Sequence, residues 1–345
     1  MKSKSNRSES LAKSNNPFTR MWKHDNTPIL LVLILVIVAV VLIELALRGE
    51  VRFLRGMNVS NVLLQVSVTG IFALSMTLVM ISGGIDLSIG WMMAFLGSGM
   101  AYIIKILEWS NLAVVVIGVS AAIICQIIMG FIISRTKLEP FIVSLGFMSM
   151  YQGFTYLITN GREITIKDKF SFLGSELFKW GDFSFRVPIV VFVVLIFIVW
   201  LVMKYTKFGR RVYAVGGNEN AAYLAGINVK NFKLLIYGIN GLFIAIASMT
   251  MLSRIHTGNP TMGLGKEIDV IAAVVVGGTA LSGGKGNVWG TVVGVLLLGI
   301  MSNALNILRV SPYYQYIMTG LLIVVSVMIS YYSGLRTSRK SKKTT

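Results

Sequence analysis

The stretch "SGGIDLSIG", Ser82 to Gly90, sets a carboxylate, Asp86, and a hydroxyl, Ser88, among the glycines Gly83, Gly84 and Gly90, with long apolar runs on both sides. Paired glycines weaken a helix and a carboxylate in hydrocarbon costs more, so the combination needs a reason. Two readings supply one. In the first, Gly83 or Gly84 takes the left-handed geometry that ends a helix, and Asp86 accepts backbone N–H groups where the next helix begins. In the second, the chain breaks at membrane depth and its backbone lines a substrate cavity.

A second cluster, "VGGTALSGGKGNVWG" from Val276 to Gly290, places Gly283, Gly284 and Gly286 around Lys285. It resembles a phosphate loop, but that pattern needs glycine at 279 and Ser or Thr at 286, where the chain has Thr279 and Gly286. No Ser/His/Asp set or carboxylate pair suited to catalysis stands out. A single cysteine, Cys125, excludes an internal disulfide, and two histidines leave little for a His/Cys metal site. The expectation is a chain that is no enzyme, holds no metal or cofactor, and cannot hydrolyse ATP by itself. Shifted by 200 residues, the clusters match at Ser82/Ser282, Gly83/Gly283, Gly84/Gly284, Gly90/Gly290 and Gly99/Gly299. A remote internal repeat and chance both account for that.

Neutral polar residues recur inside the apolar runs: Gln65, Ser67, Thr69, Gln126, Gln152, Asn240, Ser302, Asn303 and Asn306. Singly, each suits a hydrogen bond between helices. Together they suit an uncharged, hydroxylated solute, with Gln65, Asn240 and Asn303 the candidates for its path. The carboxylates Asp86, Glu139, Glu267 and Asp269 fall near the ends of the apolar runs, unlike the midplane groups of ion-driven carriers.

The elements that position these residues are membrane helices. Of 345 residues, 55% are hydrophobic and 13% charged; a soluble domain carries about a quarter charged. Mean hydropathy is +0.75. The net charge of +18 reads as orientation and lipid contact rather than nucleic-acid binding. Spans of roughly 20 apolar residues are predicted near 29–47, 61–82, 87–107, 112–134, 139–159, 187–204, 232–254, 267–281, 285–309 and 313–332, ten in all, the eighth short. The fold class is therefore all-α and polytopic. Residues 1–28 read as an N-terminal arm, 29–332 as the transmembrane domain and 333–345 as a basic tail.

Most of the 32 Lys and Arg residues fall in the arm, the tail, and the segments near 135–137, 204–233 and 285. By the positive-inside rule, those segments and both termini are cytoplasmic, although Arg48, Arg52 and Arg55 sit on the other side. The uninterrupted first span has no good cleavage site and reads as retained. Residues Asn160 to Arg186 then form a long outer loop of functional length.

Three motifs in order, "SGGIDLSIG", "FGRRVYAVGGNENAAYLAGINV" and "EIDVIAAVVVGGTALSGGKGNVWGT" followed by "SPYYQYI", resemble the permease subunits of bacterial ABC importers for monosaccharides, the ribose and galactose branch. The likeness covers about residues 55–332. It implies an ABC importer permease fold in the bacterial inner membrane, and two permease chains, identical or paired. A cytoplasmic ABC ATPase would bind ATP and Mg, and an extracytoplasmic protein would deliver sugar. The family's coupling segment falls on Gly209, Arg210, Gly216, Gly217, Asn218, Glu219, Ala221, Ala222, Tyr223, Leu224 and Gly226. Within it, Asn218 suits an N-cap, Glu219 a first turn, and Gly226 a helix stop. The other readings are a single-chain ion-coupled carrier for a polar neutral solute, and a membrane-embedded enzyme.

Overall fold

The computed structural model describes residues 27–311, 313–321, 323–325 and 328. The predicted tail and all but residues 27 and 28 of the predicted arm lie outside them, as does the end of the tenth span. Long helices run through α1 (Thr27–Arg48), α2 (Gly56–Ile81), α3 (Ile89–Ile106), α4 (Asn111–Arg135) and α5 (Pro140–Thr159). After a strand β1 (Ile164–Thr165) and a hairpin of β2 (Glu176–Trp180) and β3 (Phe183–Arg186) comes α6 (Val187–Tyr205). Two short helices, α7 (Lys207–Gly217) and α8 (Glu219–Leu224), lead into α9 (Val229–Ile255). The chain closes with β4 (Thr257–Gly258), α10 (Lys266–Val276), α11 (Val288–Ile307) and further helical backbone at 313–321.

Eight of these helices are long and apolar enough to cross a membrane: α1 to α6, α9 and α11. Length and hydropathy predicted each of them, since satisfying the backbone in lipid leaves little alternative to a helix. The chain is a multi-pass membrane protein. Apolar side chains exposed along α1, α4, α5 and α6, such as Leu35, Ile124, Leu157 and Phe197, face where lipid would be.

The tenfold count is corrected at the eighth span. Where a helix over 267–281 is predicted, α10 is a half-length helix of 11 residues. The chain leaves α9 at the left-handed His256, and β4 pairs antiparallel with β1. It then runs back along α3: Gly258 lies against Ser98 and Ala101, Met262 against Gly97, and Gly263 against Gly90. Only then does α10 start, at the left-handed Gly265. A polar, glycine-containing descent followed by a short helix lacks the apolar length of a span, which is why the pattern fails there.

The most buried helix is α2, which touches α6, α9, α10 and α11. Small residues set the spacing. A Cβ on Gly70 would strike the Phe192 ring of α6, one on Gly130 would strike Tyr237, and one on Gly241 the Ala122 carbonyl. Glu44, in the first span, is buried because its carboxylate accepts the N–H groups of Arg52 and Phe53 at 3.0 and 2.9 Å, fixing the turn into α2. The segment 160–186, expected as a soluble loop, is instead ordered by β1–β4 pairing and by the hairpin, which rests on the start of α2 through Ser184 N–H to Ser60 Oγ, 2.8 Å. This is the hairpin end of the bundle; α7 and α8 mark the opposite, basic end.

Candidate functional site

The first glycine motif holds the glycine stop expected of it. Helix α2 ends where Gly83, at φ +85°, turns left-handed, with Gly83 N–H bonded to Met80 O at 3.0 Å and Gly84 N–H to Val79 O at 2.9 Å. That is the glycine stop. Asp86 is not the N-cap of α3; that position is Ser88, whose side chain makes no capping bond to the helix. It sits instead at the centre of a buried polar cluster. Its Oδ1 accepts Ser88 N–H (2.8 Å) and Ser88 Oγ–H (2.6 Å), while its Oδ2 accepts Gln126 Nε2 (2.8 Å) and Asn240 Nδ2 (2.7 Å). One carboxyl thus ties the break to α4 and α9.

Asp86 falls between the end of α2 and the start of α3, yet its cluster lies well inside the bundle. At the basic end, Arg135 of α4 donates to Asn231 of α9 at 3.1 Å. Gln126 and Asn240 each lie nine residues further in, about 14 Å along a helix. Glu267 is buried too, its carboxylate close to Gly90 where a Cβ would meet its Oε2 at 2.3 Å. Apolar runs mark where helices are, but they do not show a helix pair broken short of the surface. The break lies inside the bundle and is packed shut around Asp86.

The second glycine motif forms a matching break, in a different register from the one the sequence suggests. Helix α10 stops at Gly277 and the left-handed Gly278, with Gly278 N–H to Val275 O and Thr279 N–H to Val274 O, the same stop as after α2. Gly83 therefore corresponds to Gly278, and the N-caps Ser88 and Asn287 correspond at the next helices. The second break is four residues longer, so a fixed shift of 200 cannot align both of its ends. Its extra residues include Gly283, Gly284 and Gly286, all with positive φ.

Those residues meet the third motif. Gly284 N–H donates to Ile81 O, the last carbonyl of α2, at 2.8 Å. A Cβ on Gly216 would lie 1.7 Å from that same oxygen and 2.8 Å from Gly284 N, and one on Gly284 would lie 2.8 Å from Gly217 Cα. Three segments distant in sequence thus converge backbone to backbone at the end of α7. Tyr213 of α7 adds a bond from its hydroxyl to Gly286 O at 2.8 Å, and burial pushes that phenol's pKa up, keeping the donor proton in place. Gly209 admits the other end of α7 against the Met203 carbonyl, where a Cβ would lie at 2.1 Å.

Beyond the junction, Asn218 caps α8 by accepting Ala221 N–H at 3.0 Å, and the left-handed Gly226 ends it. Glu219 pairs with Lys233 of α9, and Ala222 is buried. Tyr223 and Leu224 are 69% and 85% exposed, two large side chains left uncovered among the described residues. Arg210 lies on the exposed side of α7 and Ala221 on that of α8. Among the candidate path residues, Asn240 belongs to the Asp86 cluster. Asn303 of α11 exchanges two amide hydrogen bonds of 2.9 Å with Asn58 of α2, and Gln65 faces a cavity between those helices. The sequence joined neither Gln126 to Asp86 nor Asn58 to Asn303; contacts across such separations leave no local pattern.

A family model described as the permease component of branched-chain amino acid transport systems matches residues 58–327, most of the chain and all three motifs. The chain belongs to this permease family. The permease is 38% identical to the ribose import permease of Bacillus subtilis over 279 residues, 80% of this chain and 85% of that one. It is 33% identical to the L-arabinose transport system permease of Escherichia coli over 334 residues, 96% of each chain. The fructose import permease of Rhizobium meliloti is 33% identical over 310 residues, 88% of this permease and 85% of the relative. No solved structure matches the chain. A permease provides a passage and is not an enzyme.

Proposed function

We propose that this permease is the membrane subunit of an ATP-driven, binding-protein-dependent importer of a monosaccharide, working with a separate cytoplasmic ATPase that binds ATP and Mg. Sugar transport is supported by relatives named for ribose, arabinose and fructose, aligned over most of their length. The observation that carries the coupling is the junction at Gly216. There the end of α7 touches the last carbonyl of α2 and the loop between α10 and α11 together. A displacement of α7 and α8 by a partner therefore reaches both helix breaks through backbone contact, without an intervening flexible side chain. Tyr223 and Leu224 are the anchors for that partner: exposed, apolar and fixed on a helix stopped at both ends.

The finer parts of the reading follow from charge and from the family likeness. The basic end, with Arg210, Arg211, Lys230 and Lys233, is cytoplasmic and both termini lie on that side, in the bacterial inner membrane. A second permease chain, identical or closely related, completes the passage, and the hairpin end receives the extracytoplasmic sugar-binding protein. An ion-coupled single-chain carrier has weaker support. Asp86 is already engaged by four hydrogen bonds.

The test is uptake of labelled D-ribose, L-arabinose and D-fructose into proteoliposomes holding the permease with its partner ATPase and binding protein. Accumulation of at least one sugar is expected only with all components and ATP present. Accumulation by the permease alone, driven by a proton or sodium gradient, would establish the carrier instead.

A further inference from the structure

Between α2, α10, α11 and the helical backbone at 313–321 lies a cavity of about 350 Å³, within the range of small-ligand sites. Its polar walls are Gln65 and Thr69 of α2, Lys266 and Asp269 in the first turn of α10, and Ser302 and Asn306 of α11. The charges cancel locally, since Lys266 Nζ lies 3.2 Å from Asp269 Oδ2. On the far wall, Ser302 Oγ–H donates to Gln315 Oε1 and Gln315 Nε2 to Asn306 Oδ1, both at 3.0 Å. Gln65 and Thr69 make no side-chain hydrogen bond among the described residues, although both border the space. Both are part-exposed on the cavity side, so their donors and acceptors are open to a polar solute that enters it.

Asn306 borders the cavity and also borders a second cleft at the hairpin end, of about 420 Å³, walled by Arg52, Arg55, Asn58, Asn61 and Arg309. The reciprocal amide pair of Asn58 and Asn303 holds the seam of α2 and α11 at the same level. From the cleft, the polar lining runs past Asn306 to Gln65, nine residues into α2 and about 14 Å along it. The cavity ends at the N-terminus of the half-helix α10, whose other end abuts the glycine junction.

We propose that this cavity is the solute site of the permease, reached from the outer cleft past Asn306, and that it takes a neutral polyhydroxylated solute of monosaccharide size. The proposal rests on the importer reading and adds to it a location and a chemistry. Amide and hydroxyl groups match sugar hydroxyls as donors and acceptors alike, while Val66, Leu298 and Met301 offer an apolar wall to the sugar's C–H face. Lys266 and Asp269 are neutralised by each other, so no net charge remains to select an ion. The same pair matches the two charges of a zwitterion, so an apolar amino acid is the competitor to be tested.

The experiment uses the complete transporter with Cys125→Ser, which removes the only native cysteine, and introduces Thr69→Cys or Ser302→Cys, with Ser175→Cys, exposed just before the hairpin, as control. During ATP-driven turnover, the sugar that the wild type transports, at several times its Kd, should slow maleimide labelling at positions 69 and 302 by about fivefold and leave position 175 unchanged. L-leucine should protect neither. As a second measure, Thr69→Val, which preserves shape, should raise the KM for uptake by a similar factor while ATPase assembly is unchanged. Sugar transport with unprotected labelling and a wild-type KM would place the site elsewhere and leave the importer reading intact. Protection by leucine and not by sugar would overturn the ligand class. Failure of the wild type to transport any of the three sugars would overturn the reading beneath both.

Discussion

Four hydrogen bonds converge on Asp86, and two of them come from amide nitrogens on different helices. Asp86→Asn keeps the size of the side chain but sets an NH2 group where Gln126 and Asn240 both donate. At least one buried donor then loses its acceptor, a cost of about 1–3 kcal/mol. Thermal unfolding of the detergent-purified variant should begin at lower temperature than wild type, and Asp86→Leu should fall further; equal midpoints would show that the cluster does not hold the break. That a carboxylate sat beside a glycine stop was legible in the sequence. Its partners were not, because Gln126 and Asn240 look like any polar residue on an apolar helix until the helices are placed side by side.

Among the elements, those with a continuous apolar length were readable and those defined by contact were not. Helices α1 to α6 declared themselves because each must satisfy its own backbone. Helix α8 did so through its ends, Asn218 and Gly226, whose residue types have few other uses at those places. Helix α10 did not, since a half-helix after a descending segment has neither the length of a span nor the polarity of a loop. The element-scale prediction concerns α7 and α8. If they transmit motion, two kinds of damage should separate. Tyr223→Ala or Leu224→Ala removes an exposed anchor and should weaken ATPase binding by about 1–3 kcal/mol, while the permease alone remains as stable as wild type. Gly216→Ala places a methyl group 1.7 Å from Ile81 O, so α7 must move off the breaks. That variant should still bind ATPase, yet sugar should no longer stimulate ATP hydrolysis. Wild-type stimulation in Gly216→Ala would remove the junction from the coupling route, and wild-type assembly in both anchor variants would remove α8 from the interface.

For the whole molecule, the question is whether this chain supplies any of the energy for transport. The only segment resembling a phosphate loop is the one between α10 and α11, and three of its backbone N–H groups are already committed. Gly283 N–H bonds to Ala280 O and Ala280 N–H to Lys285 O within the loop, and Gly284 N–H bonds to Ile81 O of α2. A phosphate cradle needs several free N–H groups turned to one point, and these three are spent on the loop's own fold and its contact with α2. A Cβ on Gly286 would touch the Thr279 side chain, so the loop is also filled where a phosphate would need room. On the proposed reading the chain is a passage and a lever, with the energy arriving through α7 and α8. Purified permease in liposomes should hydrolyse ATP no faster than liposomes alone, and added ATP should produce no accumulation of labelled sugar. Adding the ATPase and binding protein to the same liposomes should restore both. Hydrolysis by the lone permease that disappears in Lys285→Ala would show that the loop does bind nucleotide, and the division of labour argued from its hydrogen bonds would be wrong.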